Sequence, residues 1–299
     1  MTDIKLDTLL MVYEKKSFTK AAEALSLTQP AVSNHINLLE KELGITIFNR
    51  SKSSLKTTEE GEIVVKYARR LRALTCQMKE ELRSAKKGGT LVRVGITHTA
   101  ESNFIAEVLA RYASENQGVN IKIITDTINN LYDKLSAYEL DVAIVEGRLP
   151  DEEINSVLLD TDRLMCIISP SHPLSRKSIV SLEDIQKERL LLRLSSSGTQ
   201  NLFISHLESI NMSIKSFNVI LEVDNVATIK DLVRKNFGIS ILARSACLDE
   251  LKKGKLLAVP IQNLSMIRET NLLYHKDFNH PYIIEELTKL YDKTSRVYK

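Results

Sequence analysis

Residues Phe18 to Gly44, FTKAAEALSLTQPAVSNHINLLEKELG, constrain the fold more than any other stretch of the chain. Two short helical patterns meet at Ser26-Leu27-Thr28. The first carries Ala21, Ala22 and Leu25 on one face. The second carries Val32, Ile36, Leu39 and Leu43, an apolar stripe at helical spacing. Thr28 is predicted to cap the second helix, and Pro30 falls in its first turn, where a missing N–H costs nothing. Gly44 comes just after the last periodic residue, where a helix stop is expected. Two helices joined by so tight a turn form a helix-turn-helix unit. On the outward side of the second helix Gln29, Ser33 and Asn37 recur every fourth residue, with Asn34 and His35 beside them. Short hydrogen-bonding side chains of this kind pair with base edges in a DNA major groove. Taken alone, the same pattern would also suit a polar surface on a small helical bundle.

Ile45 to Thr58 decides between the two. This stretch reads as a short apolar strand, a basic and polar turn, and a second short strand. It has the pattern of a wing, with Arg50, Lys52 and Lys56 placed to touch phosphates. Together, AAEALSLTQPAVSNHINLLEKELGITIFNRS and the TTEEG at Thr57 to Gly61 resemble the winged helix-turn-helix of the LysR-type transcriptional regulators, without gaps over about sixty residues. The resemblance implies a DNA contact surface of Thr28, Gln29, Pro30, Ser33, Asn34, His35 and Asn37, with the three basic residues on the backbone. Relatives commonly carry Arg or Lys near Asn34 and Asn37; their absence here puts more of the phosphate contact on Arg50, Lys52 and Lys56.

Charge distribution agrees. Residues 1–90 hold 16 Lys and Arg against 11 Asp and Glu, an excess of +5, while the remaining 209 sum to −2. No apolar run approaches the roughly 20 residues needed to span a bilayer, and residues 1–16 do not read as a signal peptide. Cys76, Cys166 and Cys247 are widely spaced and make neither a disulfide framework nor a metal site. The expectation is a cytoplasmic protein with no cofactor and no metal.

Thr57 to about Lys87 reads as one long helix, opened by a capping box of Thr57 and Glu60. Val64, Ala68, Leu71, Leu74 (or Thr75), Met78 and Leu82 repeat every three to four residues. A rod of roughly 42 Å needs a partner for such a stripe. Packing on its own chain would supply one; the resemblance implies dimerisation, with Val64, Ala68, Leu71, Met78 and Leu82 as the seam. Gly88-Gly89 breaks the rod as a hinge.

From Thr90 onward strands and helices alternate, as in an α/β sheet with helices on both faces. The resemblance implies two lobes like those of periplasmic solute-binding proteins, with crossings near Asp162 and Ser265. The expected division is a DNA-binding domain at 1–58, a linker helix at 59–88 and an effector domain at 89–299. Its first lobe would hold 90–162 and 266–299, and its second 163–265.

Ligands of α/β sheets sit beyond the carboxyl ends of strands, at helix N-termini. Two hydroxyl-rich strand ends fit: Thr97-His98-Thr99 through Ser102, and Ser195-Ser196-Ser197-Gly198-Thr199. Capping by Ser and Thr accounts for either stretch alone. Together they suit a small anion or carboxylate. The resemblance places effector contacts on Thr97, Thr99 and Ser197, with Glu146 lining the same cleft. Many relatives carry Thr or Ser where Ile128 stands here, so Thr127 is the substitute candidate. There is no G-x-S-x-G, P-loop or G-x-G-x-x-G pattern, and the six histidines lack metal-ligand spacing. An enzyme is not expected. The resemblance implies a regulator that binds promoter DNA as a dimer or tetramer, responds to a small molecule and contacts RNA polymerase. The runner-up is a solute-binding module whose helix-turn-helix makes protein contacts only.

Overall fold

The computed structural model describes residues 3–50, 55–87, 89–101, 104–195 and 197–298. Lys52, Gly88, Ser102 and Ser196 lie outside the described residues, as does the side chain of Arg50. The chain forms two compact units, Met1–Leu91 with Asp133–Leu140, and Val92–Tyr132 with Asp141–Lys299.

The first unit opens with α1 (Ile4–Lys15), α2 (Phe18–Leu25) and α3 (Gln29–Leu43). The caps follow from the sequence. Ser17 Oγ accepts from Lys20 N, and Thr28 Oγ1 accepts from Ala31 N, each at 3.3 Å. Ser26 and Gly44 end their helices in the left-handed region, at φ 54° and 68°. Leu9, Leu10, Val12, Ala21, Ala22, Val32, Ile36 and Leu39 close the core, whereas Leu43, assigned to the same stripe, is exposed.

The wing consists of β1 (Phe48–Arg50) and β2 (Leu55–Thr57), antiparallel, with Phe48 opposite Thr57. The first strand starts at Phe48 rather than Ile45, because Glu40 Oε1 accepts from Ile47 N at 2.7 Å and Phe48 N at 3.2 Å. Those bonds hold Ile47 against α3. The long helix α4 (Glu59–Lys87) comes next. Its cap is Thr58, not Thr57: Thr58 Oγ1 accepts from Gly61 N at 2.9 Å and donates to the Thr46 carbonyl at 2.6 Å. Thr57 is committed to the β ladder, so the expected capping box with Glu60 does not form.

A Cβ on Gly61 would lie 2.4 Å from the Ile47 carbonyl oxygen. Gly61→Ala is therefore expected to destabilise this unit by about 1–3 kcal/mol through overpacking against rigid backbone. Chemical denaturation of the full chain, followed by helicity, checks it; an unchanged midpoint would contradict the close packing.

The predicted single stripe of α4 is two faces. Val65 and Ala68 are buried in the unit's own core, with Val64 half-buried against them. Val64 and Ala68 are therefore not a seam for another chain. Ile63, Tyr67, Leu71, Leu74, Met78 and Leu82 form a separate row, each 38–60 % exposed, at steps of four, four, three, four and four residues. Ile63 and Tyr67 are additions to the expected row.

The second unit continues β3 (Thr90–Thr97), α5 (His98–Glu101), α6 (Ile105–Glu115), β4 (Val119–Asp126), α7 (Ile128–Ser136), β5 (Val142–Glu146) and β6 (Ile154–Ile168). Then come α8 (Leu182–Gln186), β7 (Arg189–Arg193), α9 (Gly198–Ser209), β8 (Asn218–Val223), α10 (Val226–Arg234), β9 (Ile239–Ala243), α11 (Leu248–Lys252), β10 (Leu257–Val259), β11 (Ile267–His275) and α12 (Pro281–Tyr298). Strand order is β4-β3-β5-β11-β6-β9-β7-β8, with β10 on β6. Two cores result. One holds Val94, Ile96, Leu109, Ile144, Leu272 and Leu287; the other holds Ile167, Leu191, Phe203, Ile229 and Ile241. This is a two-lobed α/β architecture joined by one long strand. From Ile154 to Arg163, β6 pairs with β11; from Leu164 to Ile167 it pairs with β9. Leu164 N donates to the Met266 carbonyl at 2.9 Å, so both crossing segments run side by side.

Candidate effector cleft and nucleic-acid face

On α3, Gln29, Pro30, Asn34 and Asn37 are exposed and Ser33 is half-buried, with Thr28 exposed at the cap. Lys56 is exposed on the wing. His35 differs from its neighbours. It is half-buried, with Nδ1 2.9 Å from Thr8 Oγ1. The Thr8 hydroxyl proton is directed at the Ile4 carbonyl, 2.7 Å away, which leaves Nδ1–H as donor to Thr8. His35 thus fastens α3 to α1 and is not a reader of bases.

In the second unit, a cavity of about 100 Å³ is lined by Thr97, His98, Thr99, Asp126, Thr127, Ile128, Glu146, Arg193, Ser197, Gly198, Asp224 and Arg268. The two hydroxyl-rich strand ends meet here. Thr97, at the end of β3, donates its hydroxyl to Glu146 Oε2 and accepts from Ala100 N at 3.2 Å. Its proton is spent inside the protein, so Thr97 orients Glu146 rather than donating to a ligand. Thr99 Oγ1 accepts from Arg193 Nη1 at 3.3 Å, which leaves its own O–H to donate. Ser197 caps α9 by accepting from Gln200 N at 3.2 Å, and its O–H is likewise left to donate. Thr127 Oγ1 accepts from Asn130 N at 3.4 Å, and Ile128 lines the cavity beside it.

Two expected contacts fall elsewhere. Ser195 is exposed and does not line the cavity. Thr199 is buried behind it, accepting from Arg268 Nη1 at 3.3 Å. It supports an arginine instead of touching a ligand.

Sequence reasoning missed Arg193 and Arg268, only 2 % and 8 % exposed. Arg193 ends β7 and pairs with Asp224 at 3.2 Å; Arg268 sits on β11, with Nη2 3.6 Å from Asp162. Among the described residues, the buried Nε of each arginine and the buried Oε1 of Glu146 have no hydrogen-bond partner. Burial lowers the Arg193 pKa, opposed by Asp224 and Glu146, and its range keeps it a cation at neutral pH. A larger cavity of about 780 Å³ lies in the same unit, lined among others by Phe104, Met165, Ile261 and Tyr291. Among the described residues, none that line it has an unpartnered buried polar side-chain atom. The smaller cleft is therefore the better candidate for polar recognition.

Cys166 and Cys247 are buried, and burial pushes both thiols up to about 12, so neither is a thiolate at neutral pH; Cys76 is exposed on α4. Among the described residues no group of His, Cys, Asp and Glu could hold a metal ion, and no helix is long and apolar enough to cross a membrane.

Residues 5–62 match the family described as bacterial regulatory helix-turn-helix protein, lysR family, and residues 86–291 match the LysR substrate binding domain. The chain belongs to the LysR family. A probable RuBisCO transcriptional regulator of Thalassiosira pseudonana is 30% identical over 275 residues, covering 89% of each chain. An uncharacterised HTH-type transcriptional regulator of Methanocaldococcus jannaschii is 27% identical over 287 residues, covering 96% of this chain and 97% of its own. Among solved structures, the LysR family regulator CbnR superposes with a TM-score of 0.65 at 16% identity, covering 97% of this chain and 98% of CbnR. Full-length OxyR from Pseudomonas aeruginosa gives 0.63 at 21% identity, covering 97% and 94%. The protein is thus a LysR-type transcriptional regulator, a winged helix-turn-helix followed by a LysR substrate-binding domain. The runner-up, a solute-binding module using its helix-turn-helix for protein contacts only, does not survive these matches.

Proposed function

We propose that this LysR regulator binds promoter DNA as a homodimer or a dimer of dimers, and that a small anion or carboxylate in the Arg193–Arg268 cleft modulates its action there. Residues 1–58 bind DNA, 59–88 dimerise and 89–299 bind the effector. Gln29, Ser33, Asn34 and Asn37 face base edges, while Arg50, Lys52 and Lys56 meet phosphates. CbnR has been solved with its target DNA, and this chain shares its fold. The seam is the exposed row from Ile63 to Leu82. The protein acts in the cytoplasm, contacts RNA polymerase and is not an enzyme.

The observation that carries the effector reading is the pair of buried arginines with unpartnered Nε groups around one cavity. Burying a guanidinium is costly unless its donors are satisfied. An anionic group supplies the acceptors, aided by the Thr99 and Ser197 hydroxyls and the N-terminus of the twelve-residue α9.

The DNA reading is tested by comparing cognate and scrambled operator fragments. Gln29→Ala is expected to cut the preference for the cognate site by about 1–3 kcal/mol. Lys56→Ala should weaken both fragments alike and flatten the salt dependence. Equal specificity in Gln29→Ala, Ser33→Ala and the parent chain would show that α3 is not the reader.

A further inference from the structure

The cleft is not simply cationic. Arg193 and Arg268 share it with Glu146, Asp126 and Asp224. Two of these carboxylates are occupied by the protein. Asp126 Oδ1 accepts from Thr127 N at 2.8 Å and Asn130 Nδ2 at 2.6 Å, and Asp224 Oδ1 holds Arg193. Glu146 is different. One oxygen takes the Thr97 hydroxyl, and the other is buried with no donor among the described residues. Donors without acceptors and an acceptor without a donor therefore line the same small cavity.

We infer that the effector is a small zwitterion, an amino-acid-like molecule whose carboxylate is held by Arg193, Arg268, Thr99 and Ser197 and whose ammonium is held by Glu146. This rests on the reading of the cleft as the effector site and narrows its ligand. A plain anion satisfies the arginines but leaves the buried Glu146 oxygen unpaired and adds to the negative charge around it. A plain amine does the reverse. Only a ligand carrying both groups leaves no buried charged atom without a partner, and unpaired buried charge is the more expensive state. The size agrees. At about 100 Å³ the cavity is below the range of drug-sized ligands, so the molecule has few heavy atoms. Ile128 closes one wall where a hydroxyl would have offered another polar contact, which favours a short side chain.

The test is calorimetry on the full chain with matched triplets: each small α-amino acid, the carboxylic acid lacking its amino group, and the amine lacking its carboxylate. At least one amino acid is expected to bind about tenfold or more tightly than both of its counterparts. In Glu146→Gln that amino acid should fall to the affinity of its acid, with the acid itself unchanged. An acid that binds the parent chain as tightly as its amino acid overturns the zwitterion and leaves the anion site standing. Preservation of the amino-acid preference in Glu146→Gln also overturns it. Failure of every acid and amino acid to bind removes both this inference and the cleft reading beneath it. If Glu146→Gln does not fold, the comparison within the parent chain still decides.

Discussion

Leu71→Asp is expected to convert the protein to a monomer at micromolar concentration and to abolish operator binding at the same time. Leu71 stands in the middle of the exposed row of α4, with Tyr67 one turn before it and Leu74 and Met78 beyond. These residues contribute nothing to their own unit's core, so replacing one leaves the fold alone. In a two-fold dimer the substitution occurs twice. Each buried, unpaired carboxylate costs several kcal/mol, and about 3 kcal/mol in total already raises the dimer dissociation constant by more than a hundredfold. Arg83→Asp, outside that row and paired with Glu80 at 3.0 Å, is the control and should stay dimeric. Sedimentation velocity reads both. A Leu71→Asp protein that remained dimeric would place the seam elsewhere.

The second large effect belongs to Arg193. Arg193→Leu is expected to cost about 2–5 kcal/mol in effector binding, the range for truncating one partner of a buried charge pair. Basal DNA binding should persist. The protein tolerates the loss because Asp224, the partner left behind, is 55 % exposed on its side chain and can be solvated. Thr99→Val keeps the shape and removes one hydroxyl; it should cost less, about 1.5–3 kcal/mol, since it loses a ligand donor and one acceptor for Arg193. Calorimetry with a panel of organic acids and amino acids checks both. Tight binding of a neutral apolar compound, unaffected by either change, would show that recognition lies in another cavity.

The helix-turn-helix was legible because its determinants are local. A cap, a proline in the first turn, a 3.6-residue stripe and a glycine stop all fall within Phe18–Gly44, and each acts within a turn or two of itself. Legibility fell where tertiary contacts chose between neighbours. Thr57 and Thr58 are equivalent cap candidates in sequence; the ladder to Phe48 takes the first and leaves the second. The first half of β6 was missed because Asp160, Thr161 and Asp162 look like a loop. They form the crossing segment, where Asp162 accepts from the backbone and hydroxyl of Ser245 and neighbours Arg268. On α4, a stripe tells that two faces are apolar but not which is covered by the chain itself.

The candidate site was half legible. Hydroxyls at two strand ends marked the loops, and the structure brings Thr97, His98, Thr99, Thr127, Glu146 and Ser197 to one cavity. The arginines were passed over because a lone Arg usually sits on a solvated face. A signal was present. In β11, two-residue alternation puts Arg268 on the same face as Thr270 and Leu272, all buried, while Ile267 and Glu269 point out. Arg193 comes directly after the buried run Leu190–Leu192 and precedes the serine cluster. A charge that interrupts a buried pattern at a strand end is the feature to look for.

The most direct test of the account is equilibrium binding of the full-length protein to fragments selected from its own genome, measured across a salt series. A winged-helix dimer reading bases and phosphates predicts a linear fall of log affinity with log salt, with a slope near about −0.9 for each neutralised phosphate. It also predicts roughly a thousandfold or greater preference for the selected site over random DNA. A flat salt dependence, or equal affinity for selected and random fragments, would contradict it.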